Sequence, residues 1–300
     1  MTFEYIDCKE KLILPLLYQA LIELKPDDNI EEYSQFIYKK YFQNEEIKKL
    51  FEQIKSIMNI PIKLLSKYYC RLYTINSNFY QDINKELREN KKENYLIYIK
   101  MLYEGIKLKS LPLSSNNVLY RGSKISKNEI QKIKDYLGKK IDGLPGAIVF
   151  SKSFLPFSKD KEQAQEFLKD KNKNENLCKV LYTIEKDEII DFNLATHSDI
   201  EQISKYPEEK EVLFFPFSSF EIKEIKESQF INESNNNNEE ILYEIKLLYL
   251  GKYVKEIENM DDIKIPESEF KNEMKKMGLI PEKKWKKLEE LLNNIKKIKF

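Results

Sequence analysis

The residues of this chain with most scope for chemistry are two glutamates in the segment Tyr206-Pro207-Glu208-Glu209-Lys210-Glu211-Val212-Leu213-Phe214. Side chains of a strand alternate between faces, so Glu209 and Glu211 read as pointing one way and Lys210 the other. Two carboxylates side by side repel each other. Their placement at the mouth of an apolar strand asks for a reason, and the plain alternative is a solvated strand end in a charge-rich chain.

Other chemistries are poorly supplied. Cys8, Cys70 and Cys178 are far apart, with neither a metal-ligand spacing nor a disulfide framework. The single histidine, His197, argues against a His-based zinc site and against Ser-His or Cys-His nucleophile arrangements. No metal is expected. The net charge of +1 gives no global reason to expect nucleic acid. Heavy use of Asn, Lys and Ile reads as mutational bias, so the many lysines say little about a basic partner. The 300 residues, 41% hydrophobic and 34% charged, suit a soluble globular protein with a sizeable core. No apolar run spans a bilayer and no leader segment stands out, so a reducing, cytoplasmic setting is expected.

The elements that must position the glutamates fall into two textures. Residues 12 to about 39 read as two short helices, with Leu17, Leu21 and Leu24 on one face and Tyr33, Phe36 and Ile37 on the next. Helical spacing continues from 45 to 107 through Leu50, Phe51, Ile54 and Ile57, then Leu64, Leu65 and Tyr68, then Leu96, Ile99, Leu102, Tyr103 and Ile106. From Val118 the texture turns to short β-rich runs at 118–120, 147–150, 180–184, 212–215, 220–222 and 241–249. Two helices, Lys127 to Tyr136 and Lys161 to Leu168, lie among them. The polar tract Asn232 to Glu240 reads as a floppy hairpin loop. Helices first and strands second indicate α+β: N-terminal helices, then a mixed, mostly antiparallel two-sheet core, then a helical tail.

Three segments taken in order carry a family resemblance. They are Leu119-Tyr120-Arg121-Gly122, an arginine on a strand; Phe150-Ser151-Lys152-Ser153-Phe154-Leu155-Pro156-Phe157-Ser158-Lys159-Asp160-Lys161-Glu162-Gln163-Ala164, a strand, a serine and a helix start; and the Glu209/Glu211 segment. Together they resemble the arginine–serine–glutamate signature of arginine-specific mono-ADP-ribosyltransferases. Tyr73-Thr74 with Ile83-Asn84 and Leu87-Arg88 resembles the helical segment before the arginine strand, and Glu244-Ile245-Lys246-Leu247 the closing strand. The resemblance spans roughly 60 to 255 and implies NAD as substrate and a protein arginine as acceptor. It implies that Glu211 stabilises an oxocarbenium-like centre and binds the nicotinamide ribose, and that Glu209 receives the acceptor guanidinium. Arg121 would bind the cofactor's phosphate and ribose side, or secure the strand end by a salt bridge. Gly122 would let the nicotinamide amide approach the backbone, or simply make a turn. Ser158 would touch the cofactor.

One departure stands out. The family has Ser-Thr-Ser where this chain has Pro156-Phe157-Ser158, so the first serine, which braces the catalytic glutamate, is absent. A lost hydrogen bond of that kind costs on the order of 1 kcal/mol. Ser151 and Ser153 take its place only under a shifted register. A catalytically weak or silent relative acting as a scaffold therefore stays open, as does an NAD glycohydrolase in which water replaces the arginine.

Residues 10–40, including Leu14-Pro15-Leu16-Leu17-Tyr18-Gln19-Ala20-Leu21 and Lys25-Pro26-Asp27-Asp28-Asn29-Ile30, resemble the Dpy-30 docking and dimerisation hairpin. That likeness implies a homodimer or an amphipathic-helix scaffold partner, and a cilium or axoneme as setting; an ordinary hairpin packed on the main domain is the alternative. The expected domains are 1–44 (hairpin), 45–255 (transferase) and 256–300. The last is a tail whose Trp285, Leu288, Leu292 and Ile295 share a helix face amid lysines.

Overall fold

The computed structural model describes residues 3–5, 35, 38–56, 62–75, 77–88, 98–99, 101–103, 118–141, 144–169, 176–184, 197–216, 218–232 and 238–249. The expected docking hairpin lies almost wholly outside these residues, and the expected tail lies entirely outside them.

The helical half begins with α1 (Glu45–Ser56), α2 (Ile62–Thr74) and α3 (Asn78–Arg88). Asn44 caps α1 by accepting the Glu46 and Ile47 amides at 3.0 and 3.1 Å, and Glu45 and Glu46 complement the helix dipole. Ile47, Leu50, Phe51 and Ile54 form its buried stripe. Ser77 opens α3 by accepting the Phe79 amide at 3.2 Å. Residues 98–99 and 101–103 are also helical and fully buried, and Tyr98 donates its hydroxyl to the Tyr69 carbonyl at 2.9 Å.

The second half is built on a mixed, mostly antiparallel sheet. Its strands are β1 (Glu4–Tyr5), β2 (Leu119–Ser126), β5 (Ile148–Phe150), β6 (Leu155–Ser158), β7 (Leu177–Ile184), β8 (His197–Asp199), β9 (Glu211–Phe214), β10 (Ser219–Asn232) and β11 (Asn238–Tyr249). They run in the order β1-β5-β10-β11-β7-β2-β6-β9-β8, with only β11 and β7 parallel among the described pairs. A small separate ribbon pairs β3 (Lys140–Ile141) with β4 (Leu144–Pro145). Two core sheets were expected, whereas the ladder is continuous across nine strands. Yet β2 pairs with β7 over eight residues and with β6 at one, Tyr120 opposite Ser158. The sheet therefore splits at that bridge, and side chains from both wings fill one core. Leu119, Val180 and Tyr182 come from one wing, Leu155, Phe157, Val212 and Phe214 from the other.

Two expectations need correction. The polar tract 232–240 is not all loop, because Asn232 pairs with Asn238, Ile231 with Glu239 and Phe230 with Glu240. Backbone pairing in a long two-stranded ribbon does not need apolar side chains. The N-terminal segment is not purely helical either. Glu4 and Tyr5 pair with Phe150 and Val149 as an edge strand, and Phe3 packs edge-on to Tyr182 with ring centres 5.2 Å apart.

Two helices follow strand ends. Ser126 starts α4 (Lys127–Tyr136) with a full capping box: its hydroxyl accepts the Glu129 amide while the Glu129 carboxylate accepts the Ser126 amide. Asp160 caps α5 (Lys161–Glu166), whose side chain Ala164 lies flat on β2. That contact depends on Gly122. A Cβ added there would lie 2.0 Å from the Ala164 carbonyl oxygen. The glycine is thus needed for strand-to-helix approach, not for a turn, since it pairs with Leu181 in mid-strand. Gly122→Ala is expected to cost about 3 kcal/mol, the upper end of overpacking penalties, because backbone must yield. Urea unfolding checks this, and near-native stability would mean that α5 is not seated on β2 as described.

Candidate active site

The split between the two wings opens a cleft of about 870 Å³. Strand β2 supplies Tyr120, Arg121 and Gly122; the segment 153–158 supplies Ser153, Phe154, Pro156, Phe157 and Ser158; and the β9 approach supplies Tyr206, Glu209 and Glu211. Arg121, Gly122, Ser158, Glu209 and Glu211, singled out from sequence, all line this one cleft.

Glu209 and Glu211 reach it by a different route from the one strand alternation predicts. They do not alternate along one strand. Glu209 ends a one-turn 3-10 helix, Pro207–Glu209, and β9 begins only at Glu211. Between them Lys210 takes a left-handed conformation, with φ of 48°, which breaks strand alternation. Proline at the first position of the turn favours this tight local helix over extended chain. Lys210 is nonetheless turned away from the cleft, pairing with Asp160 at 2.8 Å.

Glu211 is only 7% exposed. Burial, with a further contribution from the neighbouring Glu209 charge, pushes its carboxyl up to about 8, and Arg121 offsets part of this. Its backbone is held from both sides: it pairs with Ser158 of β6, and its carbonyl accepts the Ile200 amide at 3.0 Å. Glu209 is half-buried, and its carboxyl is also raised, first by desolvation and then by Glu208.

Arg121 is half-buried and donates Nη1 to the Pro156 carbonyl at 2.8 Å. Its Nε is out of contact with solvent and has no hydrogen-bond partner among the described residues. Desolvation lowers its pKa, while Tyr73, Tyr182 and Glu211 act to raise it. The carbonyl of Pro156 faces Arg121. In a strand a residue's N–H and C=O point to the same side, so the missing proline N–H removes no bond to β9. Proline is tolerated here for that reason.

Ser158 holds backbone. Its hydroxyl donates to the Glu209 carbonyl at 2.7 Å and accepts the Asp160 amide at 2.9 Å, so it joins the Glu209 turn to the start of α5. Ser153 lines the cleft, whereas Ser151 is spent locally, donating to the Ser153 carbonyl at 2.9 Å.

Several wall residues were not picked out as site residues from sequence. Tyr80, Gln81, Asn84, Lys85 and Arg88 line the cleft from α3, and Tyr73 and Thr74 from α2. Their signal was available: 80, 84 and 88 recur every four residues, with 81 and 85 beside them, on the face that flanks the apolar stripe of Phe79, Ile83 and Leu87. Asn84 is buried and bridges the layers, donating to the Tyr73 hydroxyl at 2.9 Å and accepting the Phe154 amide at 3.1 Å. Phe167, 63% exposed, stands at the rim.

The arrangement offers a buried carboxyl within electrostatic reach of a guanidinium, a second acid at hand and a basic margin of Lys85 and Arg88. Among the described residues no cluster of His, Cys, Asp or Glu is arranged to hold a metal, and no helix is long and apolar enough to cross a membrane.

No protein-family model matches the chain, and no curated protein matches it. Solved structures do resemble it. Vis toxin, an ADP-ribosyltransferase from Vibrio splendidus, is 19% identical, with 77% of this chain and 90% of that one covered and a TM-score of 0.43. Exoenzyme S from Pseudomonas aeruginosa, in complex with human 14-3-3 protein beta, is 13% identical over 73% and 88% of the two chains, with a TM-score of 0.44. An ADP-ribosyltransferase from Clostridium botulinum is 17% identical over 68% and 95%, with a TM-score of 0.39.

Proposed function

We propose that the protein transfers ADP-ribose from NAD to the guanidinium of an arginine side chain. The observation that carries this reading is the convergence of Glu211, Glu209 and Arg121 in one cleft, with Glu211 withdrawn from water. The cleft suits the dinucleotide in size, and the guanidinium of Arg121 at its wall suits a phosphate or ribose oxygen. Phe167 offers a free ring face to a flat heterocycle. Bound there, NAD supplies a ribose–nicotinamide bond that breaks with its electron pair going to the pyridinium nitrogen, leaving positive charge on the ribose.

Glu211, as carboxylate, meets that charge. An anion held where water is scarce stabilises a developing cation far more than one in bulk solvent. Glu209, beside it on the turn, accepts hydrogen bonds from the incoming guanidinium and can take the proton that its nitrogen loses on bonding to the ribose carbon. Water reaching the same carbon would give hydrolysis, so both products are expected, with transfer favoured by Glu209.

The test is labelled NAD with agmatine as a small guanidinium acceptor. Labelled agmatine supports the reading, nicotinamide release alone indicates a glycohydrolase, and neither product defeats it. Glu209→Ala should lose transfer while part of the hydrolysis remains; equal loss of both would overturn the division of roles.

The raised carboxyl sets a pH dependence. The working form of Glu211 is deprotonated, so kcat/KM for NAD should rise with pH and level off above about 8, read from initial rates across roughly pH 5.5 to 9. A flat profile would mean that another group limits the reaction. Stability should run the opposite way. A carboxyl whose folded pKa lies above its unfolded value binds its proton more tightly in the native state, so folding is disfavoured as pH rises from about 4.5 to about 8. Glu211→Gln should therefore abolish both activities and yet melt higher than the parent at about pH 8, the gain shrinking towards about pH 5. A melting point below the parent at the upper pH would contradict the buried, raised carboxyl.

A further inference from the structure

The two acids of the cleft are not held equally. Glu211 lies within the ladder, opposite Ser158 of β6 on one side and with its carbonyl accepting the Ile200 amide on the other. Glu209 lies outside it, on a one-turn helix that ends at the mouth of β9. The ends of β6 and β9 stand side by side as Ser158 and Glu211, and β8 ends at Asp199, opposite Val212. β9 has four residues and β8 three, and β8 is the edge of the described sheet. Short edge strands open locally at little cost.

One side chain crosses this junction. Lys159, the residue after β6, sends its ammonium past the start of β9 to Asp199 Oδ2 at 2.6 Å and Glu201 Oε2 at 2.5 Å. Its backbone amide meanwhile donates to the Lys210 carbonyl at 3.1 Å. The Lys159 side chain is 21% exposed and its partners 32% and 36%, so the pairs are less screened than ordinary surface ones. Asp199 is held in turn, its other oxygen accepting the Glu201 amide at 3.1 Å. A second, more exposed pair, Lys210 with Asp160, lies on the same side. Lys159 itself does not line the cleft.

We propose that Lys159 is a positioning residue for the acceptor side of the cleft, a strap that ties β6 to β8 across the head of β9 and thereby fixes the turn presenting Glu209. The role rests on the transfer reading above. A guanidinium acceptor must meet the ribose carbon in a narrow geometry, and small misplacement of its glutamate costs rate steeply. Hydrolysis does not draw on that placement, and the ladder keeps Glu211 where it is.

Lys159→Ala should lower transfer to agmatine about tenfold while NAD hydrolysis changes by less than about threefold. Lys159→Arg, which keeps a cation in reach, should restore most of the ratio, and the paired isosteric change Asp199→Asn with Glu201→Gln should reproduce the alanine effect. Thermal melting identifies any variant that fails to fold, and the isosteric pair then carries the test. Hydrogen exchange supplies a readout independent of activity: amides of residues 200–211 should lose protection in the Lys159→Ala and isosteric variants, while those of β2 and β7 should not. Equal loss of transfer and hydrolysis, or an unchanged ratio with unchanged exchange at 200–211, overturns the strap. A parent protein without either activity refutes the transfer reading instead, and exchange then decides whether Lys159 orders the turn.

Discussion

A carboxyl group kept out of water at the head of β9 is the constraint on which the rest of the molecule depends. Left alone, Glu211 would be a poor choice there, because burial penalises its charge and Glu209 adds repulsion. The fold tolerates it by holding the backbone of Glu211 between β6 and β8 and by setting the guanidinium of Arg121 in the same cleft. The arrangement trades stability for an anion primed to meet positive charge. Natural sequences commonly accept a local conflict of this kind at a functional site.

The surrounding architecture follows from that need. β2 and β6 share a single bridge, Tyr120 with Ser158, and the wings diverge on either side of it. Arg121 follows Tyr120 directly and reaches the Pro156 carbonyl, so the guanidinium fastens the two wings at the point where the cleft opens. The helical layer closes the remaining side. Asn84, on the polar face of α3, accepts the Phe154 amide from the segment leading into β6 and so registers helix against sheet. Gly122 lets α5 sit close enough to form the floor.

Proline at 156 stands in a strand whose neighbours make it benign. Its carbonyl is used by Arg121, and its missing N–H faces away from β9. Ser158 lines the cleft and also braces the backbone between Glu209 and Asp160. The second carboxylate is thus set by the segment 158–160 rather than by strand alternation.

Much of this was legible in the chain itself. Apolar spacing placed α1 and α2, the helices α4 and α5 were read as starting at Lys127 and Lys161, and β-rich runs located most of the longer strands, because these depend on neighbours in sequence. The residue types of the site, two acids and an arginine in strand contexts, were also legible. What the tertiary structure alone decided is where those strands meet: that one bridge splits the sheet, that Lys210 turns left-handed and lifts Glu209 out of β9, that Gly122 answers to Ala164 rather than to a turn, and that α3 turns Asn84 and Arg88 towards the cleft. The physical reason is range. Periodicity and capping act over a few residues, whereas the desolvation that raises Glu211, and the ion pairs that span from 159 to 201, exist only after distant segments are packed together.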